Sequence, residues 1–270
     1  MTIDDIDIYE DYYDFQPDKK EIEAHTTFLE FFKTNNRNVF YSKQLEVTYE
    51  KHYYHWVTNR ALHRLHEEGE ILMEEQMLNH GIPIKLLWHK SLRYPKRAGK
   101  EIVALVNKYS SPDITASVGQ QGEFLVLEAF TRFGFKVIGR NTNELDGNQW
   151  VETNHDIDFI FERDSVRYGF EVKNTLSYMN SKELEIKIRL CKSLGILPVF
   201  AVRMMPSNWI EQLRVDGGFA LILKYQMYPL NCRSLVEEIK GKLNLPVDTP
   251  SALFDGTVSR FINHYHTKNM

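Results

Sequence analysis

The sequence predicts an α/β protein in which a mixed β-sheet is flanked by helices and is preceded by a smaller α+β module. Residues 156–173 alternate between apolar and other side chains on either side of Asp164-Ser165, as the strands of a β-hairpin do. Residues 181–203 then give a helical pattern and a short β-branched strand, which implies a crossover connection. Residues 22–81 contain instead three helical stretches and a second hairpin.

The turn sets the register of the hairpin at residues 156–173. With Asp164 and Ser165 as a two-residue loop, Glu162 lies opposite Arg167, and this opposite-charge pair supports the register. One face of the ribbon is then apolar and is expected to point toward a core. Its residues are Ile157, Phe159, Phe161, Phe170 and Val172.

The other face of the hairpin concentrates charge at its open end. The same register places Asp158 opposite Glu171, and Asp156 opposite Lys173. Carboxylates that face each other across a ribbon are destabilising, and a divalent cation between them would remove the conflict. Oxygen ligands suit Mg²⁺ or Mn²⁺, and the backbone carbonyl of Val172 is a further candidate ligand. The alternative is a solvated hairpin with a charged outer face.

Metal-assisted hydrolysis of a phosphodiester is the chemistry that this set of residues favours. A metal ion held by Asp158 and Glu171 keeps open positions for water and for a phosphate oxygen. Lys173 would orient or help deprotonate the attacking water, or offset charge that develops at phosphorus. Asp156 is expected beside the metal, as an indirect or alternative ligand.

At these residues the chain resembles the PD-(D/E)xK nuclease superfamily, over roughly residues 119–203. The resemblance implies a restriction-endonuclease-like core of a helix, a β-hairpin, a second helix and a further strand. It makes Asp158 the metal-binding aspartate, and Glu171 and Lys173 the (D/E)xK residues. The proline that names the motif is absent, since Ile157 precedes Asp158.

Within this superfamily, the chain looks most like Holliday-junction resolvases and Mrr-like restriction enzymes. The resemblance implies a Mg²⁺-dependent endonuclease acting on double-stranded or branched DNA, in restriction and defence or in repair and recombination. Cutting of paired strands would favour a homodimer. The alternative is a non-catalytic DNA-binding regulator that uses a nuclease-like fold as a scaffold, although a scaffold gains little from two carboxylates that repel each other.

The stretch from Gly119 to Phe133 resembles the first core helix of these nucleases, and Gly134 would end it. We expect Glu123 in its first turn, where it matches the glutamate that Holliday-junction resolvases add to the metal site. A glutamate in a first turn is also favourable simply because of the helix dipole.

Residues 21–90 resemble a winged helix-turn-helix domain. A helix from about His52 to Glu68 would be its recognition helix, followed by a wing with its tip at residues 79–81. Ala61, Leu62 and Leu65 are expected to pack inward. The residues expected to face a DNA groove are His55, Asn59, Arg60, His63 and Arg64. The alternative is a helical module that packs against protein.

Charge is distributed unevenly along the chain. Residues 1–23 contain nine acidic residues and two lysines, and residues 1–20 form an acidic leader. We expect this leader to be a disordered tail or a mimic of nucleic acid. Residues 91–118 form a basic linker, which is expected either to contact DNA phosphates or to be a solvated helix. Its candidate phosphate contacts are Arg93, Lys96, Arg97 and Lys100.

Composition excludes several other classes of protein. No apolar run approaches 18 residues, which argues against a membrane span, and the acidic N-terminus argues against a secretory signal. Two cysteines are too few for a disulfide framework, so a cytoplasmic protein is expected. The chain lacks P-loop and Rossmann glycine patterns. Residues 119–230 are assigned to the nuclease core, and residues 231–270 to a C-terminal extension without recognisable chemistry.

Overall fold

A computed structural model describes residues 17–270, so most of the acidic leader lies outside the described residues. The chain divides into two compact units. Unit 1 runs to Thr115 and also includes Ser234–Pro246, and unit 2 comprises Ala116–Arg233 and Val247–Met270. Among residues 17–270, no helix is both long enough and apolar enough to cross a membrane.

Unit 1 contains a three-stranded antiparallel sheet in the order β1-β3-β2, where the sequence predicted three helices followed by a two-stranded wing. Its elements are α1 (Lys19–Thr34), β1 (Val39–Tyr41), α2 (Ser42–Tyr49), α3 (His55–Glu67), β2 (Ile71–Met77), β3 (Pro83–His89) and α4 (Pro95–Tyr109). The sequence pattern missed β1, because three residues are too few to show an alternation. As predicted, Ala61, Leu62 and Leu65 are buried, and they pack in one core with Phe28 and Leu87.

The remaining elements begin with helix α5, which crosses from one unit to the other, and most of them belong to unit 2. They are α5 (Pro112–Arg132), β4 (Lys136–Thr142), β5 (Glu144–Leu145), β6 (Asn148–Gln149), β7 (Ile157–Arg163), β8 (Val166–Lys173), α6 (Ser181–Ser193), β9 (Leu197–Val202), α7 (Ser207–Val215), β10 (Phe219–Ile222), β11 (Gln226–Met227), α8 (Arg233–Leu243), β12 (Val247–Asp248), α9 (Asp255–Phe261) and α10 (Thr267–Asn269).

A five-stranded mixed sheet in the order β10-β9-β8-β7-β4 forms the centre of unit 2. Strands β4, β7 and β8 pair antiparallel, whereas β8, β9 and β10 pair parallel. Helix α6 is the crossover between β8 and β9, as parallel neighbours require. The predicted fold class, a mixed sheet flanked by helices after a small α+β unit, is confirmed.

The hairpin β7–β8 has the register that the sequence predicts. Glu162 pairs with Arg167, and the Arg167 side chain donates to the Glu162 carboxylate at 2.7 Å. Asp164 and Ser165 both have positive φ angles, 52° and 62°, which match a two-residue type I′ loop. The pairing continues to Phe159 and Phe170, and beyond this pair the two strands no longer form a regular ladder.

Both faces of the hairpin pack against helices, whereas the sequence predicted one buried face and one charged face. Phe159, Phe161 and Phe170 pack in a core with residues of α5, whereas Ile160 packs with residues of α6. The prediction for Ile157 was wrong, because it lies with Ile160 in the second cluster. Ile157 is the first residue of β7, and Trp150 of the preceding loop packs into the same cluster.

Residues 231–270 contribute to both units. The helix α8 belongs largely to unit 1, whereas residues 247–270 complete the core of unit 2. Phe261 is fully buried there, with ring contacts to Phe130, Phe170 and Tyr168. The C-terminal segment is therefore part of the folded core.

Helix α5 begins at Pro112, seven residues before Gly119. Proline is well tolerated at the first position of a helix, so it can start one here. Glu123 consequently lies in the middle of the helix, and its predicted place in a first turn was wrong. The helix is tied to the end of β8 by Asn174. The amide nitrogen of this residue donates to the carbonyls of Val118 and Met227, each at 2.7 Å.

The close approach of α5 to Asn174 gives a stability prediction. A Cβ added at Gly122 would lie 2.7 Å from the Cβ of Asn174, whereas one added at Gly119 would meet nothing within 4 Å. We expect Gly122→Ala to destabilise the protein by about 1–3 kcal/mol, as overpacking does. Gly119→Ala, on the same helix, should be neutral or stabilising by up to about 1 kcal/mol. Urea denaturation of both variants checks this, and equal effects would contradict the packing described.

Candidate functional site

The candidate site lies where the hairpin ladder stops. The Asp158 carboxylate accepts a hydrogen bond from the backbone N–H of Val172 at 2.7 Å. Burial, and after it the charge of Glu171, raises the pKa of Asp158 to about 7, although Val172, Lys187 and Lys173 act in the opposite direction. In the metal-free protein this aspartate therefore holds its proton close to neutral pH.

Glu171 is a buried carboxylate held between two lysines. Its side chain is 3% exposed, and its Oε1 and Oε2 lie 3.0 Å from Lys173 Nζ and 2.6 Å from Lys187 Nζ. A buried charge is strongly unfavourable unless it is paired, and two ammonium groups provide that pairing. The lysines thus neutralise Glu171 in the metal-free protein.

Lys187 comes from the crossover helix α6 and is itself buried, with 4% of its surface exposed. Besides Glu171, its ammonium group contacts Asp156, donating to the backbone carbonyl at 2.5 Å. The helix can approach the hairpin because Gly169 has no side chain. A Cβ there would lie 2.7 Å from Cys191 Sγ, one turn further along α6.

Lys173 lies between two acidic residues, Glu171 at 3.0 Å and Glu183 of α6 at 2.8 Å. Burial alone would lower the pKa of Lys173, but the charges of these two glutamates raise it above its ordinary value. Lys173 is therefore charged at neutral pH, and it can donate hydrogen bonds or stabilise negative charge but cannot readily accept a proton.

The fold brings together three of the residues predicted for catalysis, Asp158, Glu171 and Lys173. Asp156 lies at the side of this group. Its side chain is 53% exposed, and its ionic contact is with Lys187 at 3.8 Å, not with Lys173 as the strict register suggested. The difference arises because β7 begins only at Ile157. Among the described residues, no three His, Cys, Asp or Glu side chains form a metal-binding cluster, so Glu123 does not complete one.

The donor set nonetheless fits a single hard divalent cation. Asp158 and Glu171 repel each other, and the hydrogen bond to Val172 uses one oxygen of Asp158. The second oxygen of Asp158 and one oxygen of Glu171 are the available carboxylate ligands, after displacement of a lysine from Glu171. Mg²⁺ typically takes one or two protein carboxylates and completes its shell with water and phosphate oxygens.

The residues predicted to read DNA in unit 1 are mostly engaged within the protein. His55 is 1% exposed and lies 3.2 Å from Glu50, so its predicted position in a groove was wrong. Arg60 pairs with Glu21 at 3.2 Å, and Arg64 pairs with Glu68 at 3.2 Å. Helix α3 thus presents side chains that neighbouring acidic residues already neutralise.

The other two predicted readers on α3 are also half-buried. Asn59 donates to Glu46 at 3.4 Å. His63 lies 2.9 Å from Lys85 Nζ, and burial together with the charge of that lysine lowers the pKa of His63 to about 4. His63 is therefore neutral at physiological pH and adds no positive charge to this helix.

The basic cluster Arg93, Lys96, Arg97 and Lys100 differs from α3, because all four side chains are exposed. Three of them lie at the start of α4, whose first turn carries no acidic residue. Cations at a helix N-terminus oppose the helix dipole, and this arrangement favours binding of an anion.

Sequence reasoning missed Lys187 and Glu183. The two residues are spaced i,i+4, and such a pair normally indicates an exposed helix face. One signal does distinguish Lys187. It falls on the stripe of Leu184, Ile188 and Cys191, which is the buried face of α6. A lone lysine on an apolar stripe can indicate a buried ion pair.

Comparisons with known proteins do not assign the chain to a family. No protein-family model matches the sequence, and no curated protein matches it. The crystal structure of a repair endonuclease from Pyrococcus abyssi is similar, with 12% sequence identity and a TM-score of 0.27. The match covers 56% of this chain and 61% of that chain, so the chain spans about three fifths of that endonuclease.

The raised pKa of Asp158 predicts a pH-dependent stability. The native protein keeps this proton up to about pH 7, whereas the unfolded chain loses it near pH ~4. The native state therefore binds more protons in this interval, and its stability falls as pH rises from about 4 to about 7. Asp158→Asn should remove this contribution and stabilise the metal-free protein at pH 7.5 by roughly 1–3 kcal/mol. Denaturation in EDTA at pH 5 and 7.5 checks the sign, and a destabilised variant at the higher pH would contradict it.

The buried pair of Lys187 and Glu171 predicts a second stability effect. Lys187→Met should destabilise the protein by about 2–3 kcal/mol, because Glu171 then keeps only Lys173 as a neutralising partner. Lys192→Met is the matched control on the same helix, since Lys192 is 53% exposed and pairs with Asp216 at the surface. The control should cost at most about 1 kcal/mol. Equal destabilisation in thermal and urea unfolding would show that Lys187 and Glu171 are not a buried pair.

Proposed function

We propose that this chain is a divalent-metal-dependent endonuclease that hydrolyses phosphodiester bonds in DNA. The observation that supports this most directly is the pairing of Asp158 with Glu171 at the open end of the hairpin, with Lys173 beside them at 3.0 Å from Glu171. Burial of Asp158 next to the charge of Glu171, which together raise the pKa of Asp158, is costly to a purely structural hairpin, and it suits a site that takes a cation.

In this proposal Asp158, Glu171 and the Val172 carbonyl hold Mg²⁺ or Mn²⁺. When bound, the metal supplies a Lewis acid for the phosphate and lowers the pKa of a coordinated water. Lys173, which carries its charge at neutral pH, orients the attacking water and stabilises negative charge on the phosphate. Glu123 has at most an auxiliary role, because the described residues contain no cluster of three acidic ligands.

Charge supports a nucleic acid as the substrate. The exposed cations Arg93, Lys96, Arg97 and Lys100 are suited to phosphate contacts, which supply most of the affinity of proteins for nucleic acid. Cleavage would serve restriction and defence or repair and recombination, and a homodimer is expected if both strands are cut.

A second function is favoured by a specific observation. Both oxygens of Glu171 are engaged by lysines, at 3.0 and 2.6 Å, as expected if the site served only to hold α6 on the hairpin. The chain would then be a non-catalytic DNA-binding regulator with a nuclease-like scaffold.

Cleavage assays separate the two functions. We expect the wild-type protein to cut one or more of supercoiled, linear, branched or single-stranded DNA in Mg²⁺ or Mn²⁺, but not in EDTA. Asp158→Ala and Glu171→Ala should abolish cleavage, and Lys173→Ala should lower its single-turnover rate by about 10² or more. RNA of matching sequence tests the choice of nucleic acid.

Lys192→Ala is the control, because it removes an exposed lysine of α6 outside the carboxylate pair. It should cut at the wild-type rate. Cleavage that persists in EDTA or in Asp158→Ala would contradict the proposed mechanism. If the protein binds DNA tightly but cleaves none of the substrates in Mg²⁺ or in Mn²⁺, the non-catalytic DNA-binding regulator is favoured instead.

A further inference from the structure

Unit 1 contains a cavity that has no part in the proposed cleavage chemistry, although two of the cations proposed to contact phosphate, Lys96 and Lys100, line it. The sheet β1-β3-β2 has two faces, and one of them packs on helices α1 to α3 through residues such as Ile71 and Leu87. The second face carries Leu86 and Trp88 and is covered by α4. Between this face and the helix lies a cavity of about 620 Å³. Cavities of this size typically bind small organic molecules.

Close packing at one point defines the edge of this cavity. Gly99 of α4 rests against β3, since a Cβ on it would lie 3.1 Å from Leu86 Cδ1. On the helix, the lining residues recur at helical spacing, at positions 96, 99, 100, 103, 104 and 107. One face of α4 therefore forms a continuous wall, beginning with cations and continuing with Val103 and Ala104.

The chemistry of the lining is divided between apolar and polar groups. The walls are apolar, formed by Leu86, Trp88 and Val103 with their neighbours. The polar groups are the amides at positions 76, 79 and 107 and the Glu74 carboxylate. Gln76 donates to Glu74, and the Asn107 amide oxygen accepts from the Asn79 backbone N–H at 2.7 Å. At the helix start, Lys96 and Lys100 contribute positive charge.

We propose that this cavity binds a nucleotide. A flat heterocyclic base suits the apolar walls, its polar edge suits the amides and Glu74, and its phosphate suits Lys96 and Lys100. A bound phosphate would also offset the unfavourable position of these cations at the start of α4. The same chemistry belongs to a free nucleotide and to an unpaired nucleotide within a DNA strand.

A neighbouring residue favours a strand over a free nucleotide. Tyr94, directly before Pro95 of the cavity lining, is 86% exposed. Exposed aromatic rings beside cations are how proteins bind single strands, because bases stack on the ring while phosphates contact the cations. Arg93 and Arg97 are exposed beside it. The choice of DNA as the strand rests on the proposed function, but nucleotide binding itself does not.

Binding in EDTA tests this inference independently of cleavage. The probes are a fluorescent single-stranded oligonucleotide, the fully paired duplex of the same sequence, the four deoxynucleoside monophosphates, and inorganic phosphate. Anisotropy measures the labelled DNA, and calorimetry measures the small ligands. We expect single strands to bind more tightly than the duplex, and nucleotides more tightly than phosphate.

Two variants address the cavity by different means. Ala104 lines the cavity and is exposed, so Ala104→Phe should narrow the cavity without changing its charge. Lys96→Gln/Lys100→Gln removes the cations of the cavity. Each should weaken binding of single strands and mononucleotides by about tenfold or more, the range of one stacked base. Tyr94→Ala should weaken binding of single strands only.

The matched control is Lys90→Gln/Lys108→Gln. It removes two lysines of the same unit that pair with Glu70 and Glu238 and do not line the cavity. Mononucleotide binding should be unchanged in this control.

If mononucleotides bind and single strands bind no better than duplex, the occupant is a free nucleotide. Three results would overturn the inference. Folded Ala104→Phe could bind nucleotides as tightly as the wild type, the two double-lysine variants could lose equal affinity, or phosphate could bind as tightly as a nucleotide.

If the protein binds nucleotides as described but cleaves nothing, the nuclease proposal fails and the cavity inference stands. If it cleaves DNA with Mg²⁺ while the cavity variants bind nucleotides as the wild type does, the cavity inference fails and the nuclease proposal stands.

Discussion

The buried carboxylate of Glu171 is the constraint on which the arrangement of unit 2 depends. It lies at the open end of β8 with 3% of its side chain exposed. One of its oxygens forms an ion pair with Lys173 and the other with Lys187. A charge buried this deeply is tolerated only with partners at contact distance. One partner comes from its own strand and the other from α6, so the pairing joins the crossover helix to the hairpin.

Several local features serve this contact. Gly169 allows α6 to approach β8, since any side chain there would meet Cys191 and Ile196. Asn174, the residue after Lys173, fastens the strand end to α5 and to Met227 through its amide. The strand end is thereby fixed from two sides, while Asp158 remains only partly buried beside it. Such rigidity suits a site whose ligands have to be held in place before a metal binds.

The sequence predicts the hairpin well, because its register depends on local chemistry. The loop at Asp164 and the cross-strand pair of Glu162 with Arg167 are enough to set the register as far as Phe159 and Phe170. Asp158 and Glu171 are the next residues on the two strands. What the sequence does not reveal are contacts from distant segments. Lys187 reaches Glu171 only once the crossover is folded. His55 is buried where α2 packs against α3, and Glu46 and Glu50 lie next to it there. The start of α5 was misplaced for a different reason, since the helix extends beyond the stretch that resembles the nucleases.

Asp158 and Glu171 are proposed to bind a divalent cation together, and calorimetric titration with Mn²⁺ at pH 6.5 tests this. Repeating the titration in two buffers of different ionisation enthalpy measures the protons released on binding. We predict saturable binding to the wild-type protein with release of part of a proton, since Asp158 is largely protonated at that pH. Asp158→Asn should bind far more weakly. Equal binding by Asp158→Asn and wild type, or no binding by the folded wild-type protein, would contradict the claim.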